Sequence, residues 1–152
     1  MGGGLGIMAG CSHRIATETT RIAMPEVTIG LYPDVGGSWF LNRMPSQCGL
    51  FLALTGASIN ATDSLFTGLA DYFIASEHYQ ALIDGLLMQK WATTQQHNHD
   101  LVSDLLAVIC SDFDDERPPA NVEPQLKTIE QLCAGDQAKT IIEAISSLQS
   151  DD

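Results

Sequence analysis

The chain reads as an α/β protein in which helices outweigh short strands, and three observations predict this. Apolar segments around residues 14–23 and 72–74 are brief and broken by Gly, Pro and polar turns, as suits short strands. From Ser76 onward, apolar residues recur at helical spacing. Hydrophobic residues make up 45% of the chain and charged residues 17%, the balance of a folded domain with a core rather than a disordered chain. The length, 152 residues, fits one ordinary domain.

The elements follow in order. The cluster Gly2-Gly3-Gly4-Leu5-Gly6 opens a short helix over residues 4–10. Arg14–Thr17 and Arg21–Ala23 read as short strands around a polar turn. Gly36-Gly37 leads into a helix through Ser38-Trp39-Phe40-Leu41. Pro45-Ser46 starts another, Gln47–Thr55, closed by Gly56. Asn60 with Asp63 three residues on has the form of a capping box for a helix ended by Gly68. Tyr72-Phe73-Ile74 reads as one more strand. Tyr79, Leu82, Ile83, Leu86 and Leu87 form one apolar stripe, and Leu101, Val102, Leu105, Leu106 and Ile109 a second. Ser111–Ala120 reads as an exposed acidic loop. Pro124 suits the first turn of a third helix, and Asp136 the cap of a fourth, with Ile141, Ile142, Ile145 and Leu148 facing inward.

Charge narrows the function. Residues 1–50 hold three acids and three arginines, so the whole net charge of −12 lies after residue 50. Such a surface disfavours nucleic acid, whose phosphates require cations. No apolar run approaches the roughly 18 residues of a membrane span. Cys11, Cys48, Cys110 and Cys133 lack CxxC spacing and read as reduced thiols, with no disulfide framework and no metal site; this points to the cytoplasm.

The densest chemical signal is Met24-Pro25-Glu26-Val27-Thr28-Ile29-Gly30-Leu31-Tyr32-Pro33-Asp34-Val35-Gly36-Gly37. Two acids stand eight residues apart on backbone shaped by two prolines, in apolar surroundings. A carboxylate among apolar groups is costly unless a partner or a task holds it there. Glycine amides can hold a developing oxyanion, and the acids can serve as base, nucleophile or proton donor. The bland alternative is a pair of turn-starting Pro-acid dipeptides.

Taken together, Gly2-Gly3-Gly4, Arg14-Ile15-Ala16-Thr17, Ala23-Met24-Pro25-Glu26, Gly30-Leu31-Tyr32-Pro33-Asp34-Val35-Gly36-Gly37, Leu52-Ala53-Leu54-Thr55-Gly56 and Gly68-Leu69-Ala70-Asp71 resemble the enoyl-CoA hydratase/isomerase (crotonase) superfamily. They resemble most its 3-hydroxyisobutyryl-CoA hydrolase branch. The resemblance implies a partial crotonase-type spiral fold. Residues 1–75 would form the second half of the catalytic core, and residues 76–152 a truncated helical region. It implies Glu26 and Asp34 as catalytic acids and Gly3 as an oxyanion-hole amide. The hydratases carry a further glutamate two residues after the glycine triplet. Gly6 stands there, which speaks against hydration, while Asp34 speaks for thioester hydrolysis.

The expected reaction is therefore hydrolysis of a short β-hydroxyacyl-CoA, with CoA as part of the substrate and no other cofactor. Glu26 would act as nucleophile or as base toward water. The alternatives are an enoyl-CoA hydratase or isomerase, and an inactive fragment that binds a partner. The family's module begins before the glycine triplet, so the chain reads as an internal fragment, expected to be weak or inactive as an enzyme by itself. It is expected to self-associate or to pair with the missing N-terminal half through Leu5, Ile7, Ile15, Ile22 and Leu31.

Three weaker signals stand beside this one. Gly4-Leu5-Gly6-Ile7-Met8-Ala9 mimics a dinucleotide fingerprint but has no strand before it. His97-Asn98-His99-Asp100 reads as a solvated helix start rather than a metal site. Cys11-Ser12-His13 reads as structural, because sequence neighbours rarely face each other as a nucleophile and its base.

Overall fold

The computed structural model describes residues 1–110 and 116–148. Helix α1 (Gly3–Ala9) follows the glycine cluster. Strand β1 (Ile15–Ala16) pairs in parallel with β2 (Tyr72–Phe73), in the register Ile15↔Tyr72 and Ala16↔Phe73. Between them run a 3₁₀ helix (Pro25–Ile29), α2 (Gly37–Leu41), α3 (Cys48–Thr55) and α4 (Ala61–Phe66). Then come α5 (Tyr79–Met88), α6 (Gln95–Cys110), α7 (Leu126–Leu132) and α8 (Ala138–Leu148). Among the described residues, no helix is long and apolar enough to cross a membrane.

Local chemistry explains most of these boundaries. Gly56 ends α3 in the left-handed conformation, where its N–H reaches Leu52 O. The capping box is complete: Asn60 Oδ1 accepts from Asp63 N–H and Asp63 Oδ2 from Asn60 N–H. Asp63 also reaches across the chain. Its Oδ1 accepts from the N–H groups of Asn121 and Val122, both at 2.8 Å. Fully buried, it fastens the segment leading to α7 onto the start of α4.

Three apolar clusters form among the described residues; one is the small Ala16, Ala61, Ala70 and Phe73 group, and the other two organise the interior. The larger joins Leu5, Ile22, Met24, Phe40, Leu41, Leu52 and Leu69 to Val122, Ile129, Cys133 and Ile141, so α7 and α8 share a core with the first 70 residues. In the second, Ile74, Leu82 and Leu106 hold the α5–α6 hairpin to the strand pair. Arg14 locks the strand entrance. Its guanidinium bonds both oxygens of Asp71 and the carbonyl of Gly68. That partnership holds the Asp71 carboxyl below its ordinary value and raises Arg14.

Several expectations change. The second strand, at Arg21–Ala23, is a single antiparallel bridge, Ile22↔Ile59; three residues on, Pro25 turns the chain into the 3₁₀ helix. On α5, Leu82 is buried, but Tyr79 and Leu87 are exposed because α6 covers only one side. On α8, Ile141 is buried and Ile142 exposed. The helix starts after Gln137, whose carbonyl accepts from Ile141 N–H, rather than directly after Asp136. Of the side chains expected at an uncovered surface, Ile7 and Leu31 are exposed, while Leu5 and Ile22 are in the core. Residues 111–115 of the acidic loop lie outside the described residues, as does the Leu148 side chain. Beyond them, Pro118 and Pro119 accept hydrogen bonds at their carbonyls from Thr62 and Asn60.

Candidate functional site

The site grows from the start of α1. Gly2 caps the helix at φ 55°, ψ −133°, backbone open to glycine and closed to side-chain-bearing residues. Its N–H donates to Ala23 O at 3.2 Å, which lays the helix start beside the segment entering Pro25. Gly3 is the first helical residue, so its N–H has no acceptor within the helix.

Glu26 arrives on the 3₁₀ helix opened by Pro25 and closed by left-handed Gly30. Its Oε1 lies 3.3 Å from where a Gly2 Cβ would stand, so the carboxylate abuts the start of α1. Its Oε2 is buried and has no hydrogen-bond partner among the described residues. Buried polar atoms are nearly always paired, and an exception calls for a functional or structural reason.

Asp34 occupies the next turn. Its backbone carbonyl accepts from Gly37 N–H at 2.6 Å, and Val35 and Gly36 between them are both left-handed, at φ 43° and 83°. A β-branched residue there is strained. Val35 packs on α1: its Cγ1 lies 3.8 Å from the Cβ position of Gly3, and its carbonyl oxygen 2.4 Å from that of Gly6. The turn thus meets the same helix as Glu26, one turn further on. Asp34 itself is exposed, as are Ile29, Leu31, Tyr32 and Val35. The apolar surroundings read from the sequence therefore lie largely on the surface at Asp34, whereas Glu26 is half-buried.

A cavity of about 250 Å³ opens between α1 and α2, lined by Gly6, Ala9, Gly10, Val35, Gly36, Trp39 and Phe40. Trp39 is a wall the sequence reading passed over. Its ring, half-exposed, lies under the Arg43 guanidinium at 3.9 Å. The signal was present in the small residues of α1 opposite Trp39-Phe40.

Other polar groups tie elements of the fold together. His13 Nε2 and Ser103 Oγ are 2.9 Å apart, and Ser103 donates to His99 O. Ser103 therefore accepts from the ring N–H, and Nδ1 accepts from Ser12. The network ties the segment before β1 to α6. Burial and the neighbouring His99 lower the pKa of His13. Asn98 bonds both backbone groups of Ala92 and shapes the entry to α6. All four cysteines are free thiols, and burial raises Cys48, Cys110 and Cys133.

The chain is 34% identical over 151 residues to the mitochondrial 3-hydroxyisobutyryl-CoA hydrolase of Dictyostelium discoideum, covering 99% of this chain and 38% of that protein. It is 46% identical over 90 residues to the human mitochondrial protein of the same name, covering 59% of this chain and 23% of that one. The chain thus spans well under half the length of these curated relatives. A carnitinyl-CoA dehydratase structure from Mycobacterium thermoresistibile superposes with a TM-score of 0.78 at 33% identity, over 97% of this chain and 39% of that one, so the fold is crotonase-type. The mitochondrial relatives overturn the expected cytoplasmic placement. Reduced thiols report a reducing environment and do not distinguish one such compartment from another. The family model for enoyl-CoA hydratase/isomerase matches residues 1–152, and with the glycine-led α1, the Pro-Glu 3₁₀ helix and the superposed fold in agreement, the chain belongs to the enoyl-CoA hydratase/isomerase family.

Proposed function

We propose that the chain carries part of an acyl-CoA thioester hydrolase that converts 3-hydroxyisobutyryl-CoA to 3-hydroxyisobutyrate and CoA, a step of valine breakdown. The observation that carries this reading is the buried, unpartnered Oε2 of Glu26 beside the glycine start of α1. In this reading the thioester carbonyl is brought to that oxygen, which has no competing hydrogen-bond partner among the described residues. The Gly3 N–H would donate to the oxyanion as it forms. Glu26 attacks the acyl carbon or takes a proton from water; both routes begin with the same oxygen. Asp34 assists the chemical step. CoA enters as part of the substrate and leaves as the thiol, and no further cofactor is required.

A second reading, hydration of an enoyl-CoA, draws support from the dehydratase neighbour. Against it stands Gly6: the site of the hydratases' further glutamate has the Val35 carbonyl pressed against it.

The test is release of free thiol from 3-hydroxyisobutyryl-CoA by the parent protein and by Glu26→Gln. The amide is nearly isosteric but neither attacks nor accepts the proton. A loss of roughly 10²–10⁴-fold in kcat with an unchanged fold is expected. A Glu26→Gln protein at the parent rate would remove Glu26 from the chemistry.

A further inference from the structure

We infer that Gly6 is a positioning residue: its bare Cα is the seat of the Val35 carbonyl, and this contact holds the turn that carries Asp34 against α1. The inference rests on the proposed hydrolase reading for what Asp34 does, but not for where its turn sits.

Three observations carry it. A Cβ on Gly6 would meet Val35 O at 2.4 Å, Val35 Cβ at 2.8 Å and Val35 Cγ2 at 2.9 Å. The nearest of these is backbone, so no rotamer change relieves the overlap; the turn itself must move. Next, the turn does not hold itself. Val35 sits at φ 43°, a conformation a β-branched residue keeps only when its surroundings impose it. Those surroundings are Gly6 and Gly3 on one side and the Gly37 N–H bond to Asp34 O on the other. Finally, glycine weakens a helix interior relative to alanine, so its presence at position 6 calls for a reason. Gly4, in the same helix, has open space where its Cβ would be. The steric demand is therefore specific to position 6. Any side chain there, a second carboxylate included, is incompatible with the seated turn.

The experiment compares Gly4→Ala, Gly6→Ala, Asp34→Asn and the Gly6→Ala/Asp34→Asn double variant. Thermal unfolding is expected to show Gly4→Ala at or above the parent Tm and Gly6→Ala below it. Amide exchange at Gly37 should quicken in Gly6→Ala, while the core amides of Ile74 and Leu106 keep parental protection. That readout needs no activity, so it still decides the seat if the parent protein releases no thiol and the hydrolase reading falls. With 3-hydroxyisobutyryl-CoA, Gly6→Ala should lower kcat by about 100-fold, the scale expected for displacing a group by an ångström. KM should stay near the parent value. The double variant should be no slower than the slower single variant, because both changes act through one carboxylate. Parental Gly37 exchange in Gly6→Ala, or losses in kcat that multiply in the double variant, would overturn the inference. So would loss of protection at Ile74 and Leu106, since position 6 would then support the whole fold rather than one turn.

Discussion

Removing the Asp63 carboxylate should unfasten the protein at one point with a large, calculable effect. Asp63 is fully buried, accepts from Asn121 N–H and Val122 N–H at 2.8 Å each, and completes the capping box with Asn60. Alanine leaves two backbone donors without acceptors, and Val122 is itself buried, so water does not readily replace the lost oxygen. Stranding a buried donor costs about 1–3 kcal/mol. Losing the reciprocal half of the box adds roughly 0.5–1 kcal/mol. Asn121 is exposed, so only the Val122 donor is stranded in full, and Asp63→Ala should cost about 1.5–4 kcal/mol, a large share of the roughly 5–15 kcal/mol that stabilises an ordinary domain. Asp63→Asn keeps one acceptor oxygen and should cost less than alanine. Urea unfolding followed by far-UV circular dichroism measures both. The midpoint should fall with the slope unchanged. A loss below about 1 kcal/mol for alanine would mean that the 121–122 segment is held by its apolar contacts alone and that the Asp63 hydrogen bonds add nothing.

Two further predictions concern packing and pH. Gly49→Ala should destabilise by about 1–3 kcal/mol, an overpacking cost, because its Cβ would stand 1.9 Å from Leu41 O; an unchanged Tm would show that α2 and α3 separate freely. His13 titrates below its ordinary value of 6.5, through burial first and His99 second, against a smaller opposing pull from Asp71. The unfolded chain then binds the proton more readily than the folded one. Stability is full above pH 6.5 and declines as pH falls from there toward the folded value. His13→Gln should flatten the stability profile between about pH 7 and 5. The carboxylates held low, Asp71 by Arg14 and Glu18 by Ser76, lose their contributions only further down, below ordinary values of 3.8 and 4.5. An identical profile for parent and variant in the upper window would show that the His13 network contributes nothing.

Local rules made much of the fold legible. Capping boxes and glycine stops depend on residues three or four apart, so Asn60–Asp63 and Gly56 were readable directly. The helical stripes were readable for the same reason, but not how much of each would be covered: Tyr79, Leu87 and Ile142 fit the spacing and face outward. Long-range geometry left no local trace. Nothing around Asp63 announces that it bonds residues 58 and 59 positions away. The Pro-Glu and Pro-Asp turns were visible as motifs, and Glu26 is half-buried as its apolar neighbours suggested. The exposure of Asp34 was not visible, because sequence neighbours do not say which side of a turn faces solvent. Gly6 was legible as an absent acid. Its contact with Val35 depends on a turn 29 positions away and needed coordinates.

The proposed hydrolase reading directs the chemistry of this site to the thioester and not to a double bond. The direct measurement gives one protein preparation two substrates, 3-hydroxyisobutyryl-CoA followed by free-thiol release, and a short 2-enoyl-CoA followed by loss of the conjugated double bond. With Glu26 poised beside α1 and position 6 closed by the Val35 carbonyl, the hydrolase reading predicts thiol release and no hydration above background. Hydration of the enoyl-CoA at a rate equal to or above thiol release would contradict it.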